Sequence, residues 1–191
     1  MGSGRLIALL LVFLLASGIS AYAEVVGSSS PEKIMEAAAE GIDEGELDLS
    51  IEKLNGIQKE GLSVDGLSRL HFLMGKVKYI KVVTDIRAYR SEGTQKRSEL
   101  QDHQVEPLKI ALDHFETSYD LSPESDWAPE ALYATGLIQD FGGLQRFEDA
   151  AKTYRVIAEK FPDTNLGKVA AQKYEDLNSR LQGKGHGTAH P

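Results

Sequence analysis

Cysteine is absent from the chain. Disulfides, thiol nucleophiles, zinc–thiolate sites and iron–sulfur clusters are excluded together, and stability has to come from packing. Proline is scarce, with 6 in 191 residues, and the β-branched pair of note, Val82-Val83, lies inside a helical pattern. Positive charge is in deficit: 21 Lys+Arg stand against 29 Asp+Glu, a formal net charge of -8. That balance argues against a general nucleic-acid binder, which carries a basic face. Long hydrophobic runs are missing with one exception, Leu6–Ala16, and that run is well short of the ~20 residues that cross a bilayer. What remains is 41% hydrophobic and 26% charged, a globular composition on a length that fits one domain.

The exceptional run belongs to an export signal. Arg5 precedes it, Ser17-Gly18 follows it, and Ala21-Tyr22-Ala23 supplies the small-x-small pattern of a cleavage site. Cleavage is expected between Ala23 and Glu24, with 1–23 as signal peptide and 24–30 as linker. No cysteine is available there for lipid attachment. The processed chain is expected to be periplasmic and soluble, with no integral membrane span.

Helix signals fill the rest. Ser30-Pro31-Glu32 is a strong start: a capping oxygen, proline at the first helical position, then an acid near the positive end of the dipole. Apolar residues step by three and four through Leu70, Leu73, Val77 and Ile80, and again through Ala170, Tyr174, Leu177 and Leu181. The spacing predicts helices at 31–43, 47–60, 66–90, 107–121, 128–141, 145–161 and 166–181. Short links between them imply antiparallel neighbours. The fold class expected is all-α.

A frame repeats along these helices. Leu108, Ala111 and Phe115 are followed by Pro123; Phe147, Ala150 and Tyr154 are followed by Pro162, at a constant offset of 39. Alanine lets two helices approach, the aromatic fills the next turn, and proline ends the helix. Upstream of each frame a helix carries an interior glycine, Gly75 and Gly136. Interior glycine costs about 1 kcal/mol against alanine, so these positions predict tight crossings. A weaker frame, Leu47, Ser50 and Leu54, follows Gly45.

These frames resemble tetratricopeptide repeats (TPR), most closely over 128–162. The stretches PESDWAPEALYATG and KFPDTNLGKVAAQKYEDL are similar to TPR proteins of the bacterial cell envelope: the periplasmic partner of the Tol-Pal system and the outer-membrane assembly lipoprotein. The resemblance implies a domain over 31–181, with tandem helix-turn-helix units in a right-handed superhelix and a C-terminal capping helix at 166–181; the glycine-rich residues 182–191 read as a disordered tail. The resemblance also implies a partner-binding groove lined by the first helix of each hairpin. The groove candidates are Phe72, Lys76, Tyr79, Tyr133, Leu137 and Asp140.

One stretch departs from the frame. Residues 91–106 form a polar insertion, of the kind that repeat proteins place on a binding face. It continues a basic stretch that includes Lys76, Lys78, Lys81, Arg87, Arg90, Lys96 and Arg97, while 32–48 and 112–149 are strongly acidic. The basic residues either face an anionic partner or balance the acidic blocks.

Chemistry is thin by comparison. His71, His103, His114, His186 and His190 show no zinc-protease spacing. His71 reads as a core or boundary histidine, and His103 is the one that its place in the insertion favours. There is no nucleophile elbow and no phosphate-binding loop. The expectation is a non-enzymatic adaptor with no metal or cofactor, binding a protein or peptide partner in the envelope and no nucleic acid. Two alternatives stay open: a binder of a small anionic ligand or glycan, and a structural subunit that self-assembles.

Overall fold

The computed structural model describes residues 30–91, 100, 102–141 and 144–185, without the side chains of 89–91, 102, 184 and 185. The expected signal peptide, its expected cleavage point Ala23/Glu24 and most of the linker lie outside the described residues, as do His186 and His190. The described chain is all-helical. Its elements are α1 (Pro31–Glu44), α2 (Leu47–Asn55), α3 (Val64–Ser91), α4 (Asp102–Leu121), α5 (Ala128–Asp140), α6 (Phe147–Lys160) and α7 (Asn165–Gly185).

Each start and stop has a local cause. Ser30 caps α1 by accepting from the Lys33 amide, and Pro31 takes the first helical position. Gly45 ends α1 at φ 86, where a side chain is disfavoured. Its amide donates to the Ile42 carbonyl, and the Glu46 amide reaches back to Gly41, closing two of the four carbonyls that a helix end leaves open. Ser63 caps α3 through the Gly66 amide, and Thr164 caps α7 through the Gly167 amide.

Three ends differ from the sequence expectation. α2 stops at Asn55 and not at residue 60: the Gly56 amide makes the last helical bond, to Glu52, and the Ile57 amide turns to Leu54, three residues back. α4 begins at Asp102 and not at 107. Pro107 therefore stands inside the helix, and the end of the 91–106 insertion belongs to the fold: Gln104 is buried and Leu100 packs against the core. α7 continues to Gly185, so residues 182–185 are helix and not tail; Gln182 reaches Asn178 one turn back. Residues 92–99 and 101 of the insertion lie outside the described residues.

Consecutive helices pack on one another throughout. α3 and α4 make the most extensive pair, and Ser68 Oγ donates to the buried Ser118 carbonyl between them. Trp127 Nε1 donates to the same Ser68 Oγ and anchors the entry to α5. The interior glycines mark the crossings. A Cβ at Gly75 would stand 3.0 Å from the Phe115 ring, and one at Gly136 would stand 2.6 Å from the Tyr154 ring. In the α1–α2 pair the glycine in contact is Gly41, whose Cβ would meet Ser50 Oγ. Gly45, the glycine expected there, is the helix stop instead.

Two apolar clusters result. The first joins α1–α4 to one side of α5 through Ala131, Ala134 and Ile138; the second joins Leu132 of α5 to α6 and α7 around Tyr154, Ile157 and Leu177. α5 thus buries two faces, while α7 keeps Lys168, Gln172, Glu175 and Asp176 exposed.

Candidate functional site

Charges bridge the odd-numbered helices. Lys76 of α3 lies 3.3 Å from Asp43 of α1 and 3.8 Å from Glu130 of α5. Asp140, at the other end of α5, lies 3.7 Å from Lys173 of α7. Lys76 and Tyr79 are three residues apart on α3, and Glu130, Tyr133, Leu137 and Asp140 step by three and four along α5. That spacing keeps each set on one side of its helix.

The aromatic side chains of this face are half in the core. Tyr79 packs edge-on against Phe115, ring centres 6.5 Å apart, and Tyr133 packs at 6.0 Å against Tyr154. Burial pushes the Tyr79 and Tyr133 hydroxyls above their ordinary value near 10. Burial pushes Tyr154 up much further, with Asp140 adding to it. All three are therefore neutral at physiological pH and act as hydrogen-bond groups, not as bases. The Tyr154 hydroxyl is buried without a hydrogen-bond partner among the described residues, and Lys173 Nζ sits 5.3 Å from the centre of that ring.

Five of the six groove candidates, Lys76, Tyr79, Tyr133, Leu137 and Asp140, keep partial exposure on α3 and α5. The sixth does not. Phe72 is 7% exposed and packs on Phe115, centres 6.1 Å apart, so its ring belongs to the core. The structural set Gly75, Ala111, Phe115, Gly136, Ala150 and Tyr154 lies at the helix crossings. Pro123 and Pro162 follow α4 and α6 within two residues.

The basic stretch is partly neutralised. Lys76 pairs with Asp43, and Lys81 pairs with Asp48 at the start of α2. These contacts match the balancing of acidic and basic blocks. Lys78 is half-buried and Arg87 exposed; the side chains of Arg90, Lys96 and Arg97 lie outside the described residues.

Sequence reasoning missed a second constellation. His71 of α3 and His114 of α4 face each other, Nδ1 to Nδ1 at 3.1 Å. Burial lowers the His71 pKa, with Lys59 adding to it. Burial, then His71, Lys78 and Lys59, push His114 down to about 4. A cavity of about 80 Å³ opens beside the pair. His103, favoured from its place in the insertion, is exposed on α4, away from that cavity lining. No pattern within one helix signals the pair: it depends on the register between antiparallel α3 and α4, in which Ser68 also meets Ser118.

Among the described residues no group of three or more His, Cys, Asp or Glu is arranged to hold a metal ion. Among the same residues no helix is long and apolar enough to cross a membrane. No protein-family model, no curated protein and no solved structure matches the chain.

Proposed function

We propose that the chain is an exported TPR-like adaptor. Its helical hairpins form a short right-handed superhelix closed by α7, and it presents the face of α1, α3, α5 and α7 to a protein or peptide partner in the cell envelope. The observation that carries this reading is the partial exposure of Tyr79, Tyr133 and Leu137 on adjacent helices, between the Lys76 and Asp140 ion pairs. Tyrosine suits such a role because it offers a large rigid contact area and a polar tip. The repeated contact of an interior glycine with an aromatic ring supports the repeat architecture. No catalytic chemistry is part of the reading.

A photo-reactive residue placed at Leu137 tests it. We expect crosslinking of the exported chain to one envelope protein, lost in a Tyr133→Ser variant that keeps its helical content and melting transition. Equal crosslinking from exposed Glu159 on α6 would remove the face from the proposal.

A further inference from the structure

We propose that the cavity beside His71 and His114 is a binding site for a small carboxylate anion. It lies where the end of α2 meets α3 and α4, apart from the face assigned to a protein partner. Asn55, Lys59, His71 and His114 contribute polar groups to its lining; Leu70 and Met74 contribute apolar wall. No carboxylate is among the lining residues.

Charge selects the sign of the ligand. Lys59 acts on both imidazoles and Lys78 acts on His114, each disfavouring added positive charge there. The same field attracts an anion. One opposing contribution is the C-terminus of α2, worth roughly half a negative charge. Lys59 in the lining and Lys78 on α3 oppose it, and the Glu52 and Leu54 carbonyls are already taken by the Gly56 and Ile57 amides. A metal cation is the competitor, since nitrogens 3.1 Å apart could be neighbours on one ion. Two imidazoles without a carboxylate, beside two lysines, suit a cation poorly.

Size and wall chemistry select the class. A cavity of about 80 Å³ is roughly half the ~150 Å³ that admits benzene. That volume holds a carboxylate group and one or two carbons. The apolar wall favours such a ligand over phosphate, whose oxygens all need donors.

Binding is linked to a proton. The neutral pair shares one Nδ1–H, donated from one ring to the bare Nδ1 of the other. A second proton from solvent is accommodated as an imidazolium that keeps this bond, its partner ring then carrying its own proton on Nε2. A carboxylate beside the pair offsets the lysine field that resists this step. Anion binding therefore takes up a proton, and affinity rises as pH falls.

The test is an NMR titration of the two imidazoles in the folded chain, with sodium acetate at constant ionic strength. Acetate is expected to raise the titration midpoints of His71 and His114. Its affinity should rise about twofold between about pH 7.5 and about pH 5.5, because the free pair stays neutral there and only the bound pair begins to charge. Lys59 is exposed, so Lys59→Met should fold normally and bind about fivefold more weakly, a loss near 1 kcal/mol. His114→Gln should remove the pH dependence. Unmoved midpoints at saturating acetate overturn the proposal. So does an equal shift with chloride, which is screening alone, or a larger shift with inorganic phosphate. Zinc binding that lowers both midpoints, with no effect of acetate, overturns it in favour of the cation.

Discussion

At the α3–α4 crossing Gly75 faces the ring of Phe115, and at the α5–α6 crossing Gly136 faces the ring of Tyr154. Both rings are fully buried, 1% and 0% exposed. Around Phe115 the neighbours are Phe72 and Tyr79, within the larger apolar cluster. Around Tyr154 they are Tyr133 and the Lys173 ammonium, and its hydroxyl has no hydrogen-bond partner among the described residues. The geometry is repeated while the chemistry is not. Close helix approach depends on glycine opposite a flat ring, and that requirement tolerates a polar atom on the ring at some cost in stability.

Substituting the glycines probes the shared geometry. The added methyl of Gly136→Ala would meet the Tyr154 ring at 2.6 Å, against 3.0 Å for Gly75→Ala and Phe115. Overpacking of this kind costs about 1–3 kcal/mol, and the alanine returns about 1 kcal/mol of helix propensity. We expect Gly136→Ala to destabilise by about 2 kcal/mol and Gly75→Ala by less than about 1 kcal/mol, in urea unfolding. Equal losses would mean that the two crossings are equally tight in solution.

Exchanging the rings probes the difference. Leaving a buried hydroxyl unsatisfied costs about 1–3 kcal/mol, so Tyr154→Phe should stabilise by about 1 kcal/mol. Phe115→Tyr should destabilise by at least as much. A loss of stability in Tyr154→Phe would show that the hydroxyl has a partner in solution, and bound water would be the first to look for.

Acid provides the third contrast. The folded His114 titrates at about 4, below its unfolded value of about 6.5. A depressed histidine stabilises the fold in its neutral form. The contribution is complete above about pH 6.5 and is lost as pH falls toward about 4. Partial exposure screens the effect, so we expect roughly 1 kcal/mol. Helices α5–α7 carry no histidine. Hydrogen exchange between about pH 7 and about pH 5 should therefore show protection falling first across α3–α4. A loss that begins in α6–α7 would place the acid-sensitive group elsewhere.

All seven helices were legible in the sequence, because their apolar steps of three and four are strong and Ser30-Pro31 is an unambiguous start. The ends were harder. Ile57 continues the spacing of Leu54, so α2 read as longer than it is; its stop shows in the Ile57 amide, which turns to Leu54 three residues back. Pro107 read as a first residue, and only its packing context, with Gln104 buried one turn earlier, shows the helix beginning at Asp102. Gly75 and Gly136 were legible as close crossings, whereas Gly41 was hidden because Gly45 stood nearer the frame. Of the groove candidates, Phe72 could not be separated from Tyr79 by spacing alone, since both lie on α3 and both contact Phe115. The His71–His114 pair needed interhelical register, which no single helix encodes.

α5 buries Ala131, Ala134 and Ile138 in one cluster and Leu132 in the other. It is a party wall, and a chain built on one has no seam at its middle. A fragment ending before Ala128 exposes one apolar surface, and a fragment beginning there exposes another. Both halves lose their boundary in the same cut. A cut at Ala128 is therefore expected to destabilise the segments on both sides of it.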